Sequence, residues 1–146
     1  MGVEIERKFL VTSAEWRAAC YLRETICQGY LSTTDAVGVR VRISDEVAFL
    51  TIKSREAGPV REEYEYRIPL GDAQALLKRC RAPLIEKTRH TMAFADRVWT
   101  IDEFGGHRAG LVLAECELQS IDDALALPPW IGADVTNDPA YRNEAL

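Results

Sequence analysis

The sequence predicts an α+β, mainly β fold: an eight-stranded antiparallel β-barrel, or tunnel, with a charged lumen and peripheral helices. Three observations predict it. Apolar and polar residues alternate with period two in short runs, as they do in strands whose two faces meet different surroundings. Gly, Pro, Asp and Ser separate these runs, mostly at hairpin distances, which implies an antiparallel meander. The face opposite the apolar one carries charges of both signs in nearly every run, whereas an ordinary half-buried strand shows sparse polarity toward solvent.

Eight strands are expected near residues 3–11, 25–33, 37–44, 47–54, 60–69, 84–92, 95–103 and 110–118. In the first, Glu4, Glu6 and Lys8 point one way and Val3, Ile5, Phe9 and Val11 the other, with Arg7 interrupting the apolar side. Thr12 to Glu15 then reads as a capping box opening a helix with Trp16, Cys20 and Tyr21, expected over one barrel mouth. The third strand sets Arg40 and Arg42 opposite Val39, Val41 and Ile43, and the fourth sets Phe49, Thr51 and Lys53 opposite Ala48, Leu50 and Ile52. The fifth sets Arg61, Glu63, Glu65 and Arg67 opposite Val60, Tyr64, Tyr66 and Ile68. A second helix is expected from Asp72, with Ala73, Leu76, Leu77 and Cys80 on one face. Lys87 and Arg89 mark the sixth strand, Asp102 the seventh, and Glu115 with Glu117 the eighth. A third helix is expected from Ser120 to Leu127, stopped by Pro128 and Pro129, and a terminal turn at Asp138-Pro139.

At 146 residues and 16.4 kDa the chain suits one domain, residues 1–146. Its 47% hydrophobic and 28% charged content excludes intrinsic disorder and low-complexity polymers. A net charge of −5 argues against nucleic acid or an anionic membrane as partner; the expected partner is a small molecule, and the expected state a monomer or homodimer. Cys20, Cys27, Cys80 and Cys116 form no C-x-x-C pair and read as reduced core thiols. Charges at Glu4, Glu6, Arg7 and Lys8 exclude a signal peptide, and no apolar stretch nears 18 residues, so a cytoplasmic protein is expected.

The non-apolar faces carry seven acids (Glu4, Glu6, Glu63, Glu65, Asp102, Glu115, Glu117) and six bases (Lys8, Arg40, Arg42, Lys53, Lys87, Arg89). The apolar faces need burial under helices, which turns the charged faces toward a lumen wide enough for side chains or one small ligand. Glu4 with Glu6, and Glu115 with Glu117, are carboxylates two apart on one strand, which repel unless a cation lies between them. An oxygen-only donor set favours a hard divalent ion, Mg²⁺ or Mn²⁺. The bases suit a polyphosphate, since Arg supplies planar two-point contacts and Lys a point charge. Metal with polyphosphate means phosphoryl transfer or hydrolysis.

The motifs occur in a telling order: E-x-E-x-K at Glu4, Glu6 and Lys8, Q-G-Y-L at 28–31, V-R-V-R-I at 39–43, T-I-K-S at 51–54, E-Y-E-Y at 63–66, E-K-T-R at 86–89, I-D at 101–102, E-C-E at 115–117 and P-P-W-I-G-A-D-V-T at 128–136. In this order, over nearly the whole chain, the sequence resembles the CYTH superfamily of triphosphate tunnel metalloenzymes, most closely its short bacterial members. The resemblance implies an eight-stranded tunnel that hydrolyses triphosphates with a divalent metal. It implies metal binding by Glu4, Glu6, Glu115 and Glu117, with Asp102 directly or through water. Phosphates would be held by Arg40, Arg42, Lys53, Lys87 and Arg89, and the attacking water oriented by Glu63 or Glu65. Lys8 would pair with Tyr30, giving both a place in catalysis and Lys8 one in substrate binding as well. His90 stands where an aromatic residue is frequent in the family.

Three functions fit this reading. The first is a triphosphatase acting on inorganic tripolyphosphate, with thiamine or nucleoside triphosphates as related substrates. The second is an adenylate cyclase on the same site, and the third a polyphosphate-binding module without catalysis. Arg61 and Arg67 read as rim charges outside the site, His90 and His107 as surface residues, and Trp16, Trp99 and Trp130 as packing groups.

Overall fold

Alternation becomes strand at each expected place: β1 (Val3–Val11), β2 (Leu22–Thr33), β3 (Val37–Ser44), β4 (Val47–Ser54), β5 (Val60–Ile68), β6 (Ile85–Phe94), β7 (Arg97–Phe104) and β8 (Val112–Leu118). The computed structural model describes residues 2–146. The antiparallel strands run in the order β5-β4-β3-β2-β6-β7-β8-β1, and a short ladder pairing Val3 with Glu62, Glu4 with Arg61 and Ile5 with Val60 closes the ring. Closure satisfies strand edges that an open sheet would expose.

A further strand, β9 (Ile131–Asp134), has no counterpart in the expected set. It pairs with β1 at Phe9 and Val11, on the edge that β5 leaves free beyond Ile5. Four residues are too few to show a periodicity, and Pro128-Pro129 ahead of them reads as a stop signal.

The outward faces are apolar and largely covered. Phe9, Trp99, Ile101, Ala114 and Cys116 on β1, β7 and β8 pack under Trp16 and Trp130. Val41 and Ala48 pack under Ala73 and Leu77 of α1 (Leu70–Leu77). At Gly29 a Cβ would lie 2.7 Å from Leu84 and 2.8 Å from Cys80, so glycine lets the segment after α1 close onto β2. A third cluster lies inside: Ile85, Phe104 and Leu113 share the inward faces of β6, β7 and β8, and Val135 packs on them with Tyr141 and Leu146.

The helices depart most from expectation. The first is a 3₁₀ turn, Glu15–Ala19, with Trp16 buried on the outer wall rather than over a mouth. Its capping box does not form, because Thr12 Oγ1 donates to the Trp130 carbonyl at 3.0 Å. The second starts at Leu70 behind Pro69, two residues earlier than expected. Residues 120–127 form no helix. The Asp123 carboxylate accepts from Gln119 N and Ser120 N at 3.0 and 3.2 Å, closing a turn, and the chain then runs without regular structure and seats Leu125 and Trp130 on the Trp99 cluster. An eight-residue segment cannot hold a helix unaided against such packing. The terminal turn forms as expected, with Asp138 accepting from Ala140 N at 3.0 Å. All four cysteines are free thiols, and Cys116 alone among them is buried. No helix among the described residues is long and apolar enough to cross a membrane.

Candidate active site

The strand registers sort the inward charges into neighbourhoods. On β1 and β8, Glu6 stands opposite Glu117 and Lys8 opposite Glu115. On β3, β4 and β5, Arg40 stands opposite Thr51 and Thr51 opposite Glu65, with Lys53 opposite Glu63. On β6 and β7, Arg89 stands opposite Asp102.

One wall is acidic. Glu4, Glu6 and Glu117 bring one carboxylate oxygen each to within 4.8 Å of one another. Three close carboxylate oxygens without His or Cys are a donor set that fits a hard divalent cation. Glu4 also pairs with Lys53 Nζ at 2.5 Å, and Lys53 lies 3.8 Å from Glu63.

Beyond the trio the lumen turns basic. Arg40, Arg42 and Arg89, with Lys53 at the edge of the trio, line a cavity of about 590 Å³ together with Glu4, Glu6, Glu63, Glu65, Glu115 and Glu117. Thr51 donates to Glu65 at 3.0 Å, and Arg40 lies 3.8 Å from the same carboxylate. Arg42 Nε donates to Gln28 Oε1 at 2.7 Å. The fully buried Gln28 and Thr51 are supporting residues that the sequence reading passed over, although their positions on the charged faces were the available signal.

Asp102, Lys87, Lys8 and Tyr30 lie elsewhere. Asp102 is buried and accepts from Lys87 at 2.7 Å and from Arg89 at 2.8 and 2.9 Å, which keeps it outside the carboxylate trio. Lys8 pairs with Glu115 at 3.5 Å and donates to the Tyr141 carbonyl at 2.8 Å. Lys8 and Tyr30 line a second cavity, which adjoins the first. Asn143 reaches both cavities from the C-terminal segment, where no local pattern announces it. His90 is buried against Trp16, with ring centroids 4.8 Å apart, rather than at the surface.

The CYTH domain family model matches residues 2–143. The chain belongs to the CYTH family. Among CYTH relatives, an inorganic triphosphatase of Acetivibrio thermocellus is 40% identical over 149 residues, covering 100% of this chain and 94% of its own length. Another, from Nitrosomonas europaea, is 39% identical over 150 residues, covering 98% and 95%. A solved structure of an inorganic triphosphatase superposes with a TM-score of 0.71 at 35% identity, over 97% of this chain and 92% of that one.

Electrostatics in this CYTH lumen follow from burial and register. Burial, and after it Glu115, push Glu6 well above the usual carboxylate range, and burial with Glu4 pushes Glu117 up as well. Burial also opposes ionisation of Glu115, but Lys8 and Arg89 outweigh it and bring Glu115 down to about 2. For Asp102 burial is likewise overcome, by Arg89 and Lys87, which hold it far below the usual range. Burial brings Lys87 down to about 7 against the pull of Asp102, and burial with Arg40 and Arg89 brings Arg42 down to about 9. The acidic wall is therefore strained in its ionised form. Such a wall is relieved by a cation, and the basic part of the lumen by an anion.

Proposed function

We propose that this chain is a divalent-metal-dependent triphosphatase that hydrolyses inorganic tripolyphosphate to pyrophosphate and orthophosphate. The observation that carries the reading is one cavity lined both by a carboxylate trio and by Arg40, Arg42, Arg89 and Lys53, the last paired with Glu4 of the trio. The names of the relatives support the same substrate.

Glu4, Glu6 and Glu117 would hold Mg²⁺ or Mn²⁺, with Glu115 beside Glu6 and Asp102 acting from behind through Arg89 and Lys87. The ion would neutralise phosphate oxygens and the charge that builds on them in the transition state. Arg40, Arg42, Lys53 and Arg89 bind and align the phosphate chain, and Lys87 adds its charge from beneath Arg89. Glu63 and Glu65 face the substrate from β5, and Glu65, held by Thr51, is the better fixed to orient water. The water oxygen forms a bond to a terminal phosphorus as the phosphoanhydride bond to that phosphorus breaks. Pyrophosphate leaves with the bridging oxygen, and the water proton passes to solvent. Lys8, paired with Glu115 of the main cavity, and Tyr30 support the site from the adjoining cavity.

Product analysis tests this. Purified protein receives tripolyphosphate, ATP or thiamine triphosphate, each with Mg²⁺, Mn²⁺ or EDTA. Orthophosphate released fastest from tripolyphosphate and abolished by EDTA is the expected result. Cyclic AMP from ATP, or binding without turnover, overturns it.

A further inference from the structure

The second cavity lies between the β4–β5 connection and the C-terminal segment, and it joins the main cavity at Glu6, Arg40, Lys53 and Asn143, which line both. At about 40 Å³ it exceeds the roughly 10–15 Å³ that one water needs. Two guanidiniums converge there, with no carboxylate among the described residues in ion-pair contact with either. Arg61 of β5 and Arg142 both donate to the carbonyl of Glu56, Arg142 at 3.3 Å. Among the described residues neither has a carboxylate within 4.0 Å, and Arg142 Nε is buried with no hydrogen-bond partner. Burial and the neighbouring Arg142 hold Arg61 below the ordinary arginine range, against the pull of the more distant Glu144, Glu6 and Glu4.

The three acids at this cavity are otherwise engaged. Glu144 pairs with Arg55 at 3.3 Å, Asp138 accepts from Ala140 N at 3.0 Å, and Glu6 belongs to the carboxylate trio with Glu4 and Glu117. One neutral carbonyl shared by two cations leaves most of their donors and charge unmatched. A tetrahedral anion with several oxygens matches both, because each guanidinium offers a planar pair of donors.

We propose that this second cavity is a phosphate subsite in which Arg61 and Arg142 hold one phosphate group. Its source is either the next phosphoryl of a chain longer than tripolyphosphate, continuing from the main cavity, or free orthophosphate. The first source rests on the triphosphatase reading above; the second does not. The subsite gives the tunnel a chain-length preference beyond three phosphates, or a resting place for product.

Calorimetric titration in EDTA tests it, using the full chain with tripolyphosphate, tetrapolyphosphate and orthophosphate. The wild type is expected to bind tetrapolyphosphate about tenfold more tightly than tripolyphosphate, as one added charge-assisted contact gives. The R61Q/R142Q double variant, its fold checked by circular dichroism, is expected to bring that ratio to about one. Orthophosphate binding that the double variant loses, with no chain-length preference in either protein, identifies free phosphate as the ligand. The same ratio and the same orthophosphate binding in both proteins overturn the subsite. Should the double variant not fold, R142Q alone carries the comparison. A wild type that binds but does not hydrolyse tripolyphosphate counts against the proposed function only, since the arginine comparison reads binding.

Discussion

Glu6 on β1 and Glu117 on β8 stand directly opposite each other across an antiparallel ladder, and Glu4 adds a third carboxylate oxygen within 4.8 Å. Like charges directly opposite on paired strands are destabilising. The barrel tolerates them because its hydrophobic clusters lie mainly on the outer wall and do not depend on the lumen being neutral.

Replacing either carboxylate by its amide should therefore separate stability from function. Glu6→Gln and Glu117→Gln are each expected to stabilise the metal-free protein by roughly 0.2–1 kcal/mol. Each should also weaken divalent-ion activation by at least about 10- to 100-fold, the range that even outer-shell changes cost. Thermal unfolding without metal and activity against Mg²⁺ concentration check the two halves.

Arg40 is buried, lines both cavities and leaves its Nε without a partner among the described residues. Arg40→Ala should raise the KM for tripolyphosphate by roughly 10- to 150-fold, the value of a charge-assisted contact of about 1.5–3 kcal/mol. Steady-state kinetics over a wide substrate range separate this from a loss in kcat.

Asp102 is the shared counter-ion of Lys87 and Arg89. Asp102→Asn leaves two cations under-compensated inside the barrel and should destabilise the apo protein by about 3 kcal/mol. Tripolyphosphate supplies the missing negative charge, so it should raise the melting temperature of the variant more than that of the wild type. Equal shifts would detach Asp102 from the binding of phosphate.

The pH dependence of stability should change shape with metal. Glu6 and Glu117 are raised in the fold, so between their native values and the unfolded value of about 4.3 the native state holds more protons, and apo stability rises as pH falls from neutral. Asp102 and Glu115 are depressed, Glu115 to about 2; their contribution is present above the unfolded values and lost as pH falls through the native ones. Lys87, at about 7, acts only on the alkaline side, where stability rises from pH 7 toward its unfolded value of about 10.4. Over the acid range the apo protein should be most stable near pH 4–5. Saturating Mg²⁺ should keep Glu6 and Glu117 ionised and abolish the rise on acidification, as melting temperatures from pH 3 to 7 with and without the ion would reveal.

Trp130 seals the outer wall, with its ring 6.2 Å from that of Trp99. Trp130→Ala should cost about 3–5 kcal/mol by opening a cavity beside Trp99, read by urea unfolding.

How much of this was legible beforehand differs from residue to residue. Glu4, Glu6 and Lys8 could be assigned to one face of β1 because side chains in a strand alternate strictly, a rule that holds within nine residues. The same rule gave the charged faces of β3 to β8. It gave nothing for β9 or Asn143, which act through contacts with β1 and the lumen and have no period of their own. Residues 120–127 carried a helical pattern that lost to an irregular path, because packing Leu125 and Trp130 on Trp99 outweighs the propensity of eight residues. Arg61 read as a rim charge until the C-terminal segment brought Arg142 beside it.

The sequence by itself determined which side chains enter the lumen and their signs, since alternation is local and each strand carries its own. Only the tertiary structure decided which charges meet. Ring closure and register set Glu6 against Glu117, bury Asp102 between Lys87 and Arg89, and lay the C-terminal segment across the second cavity. Electrostatic energy depends on distances between groups far apart in the chain, and those distances exist only once the barrel is closed.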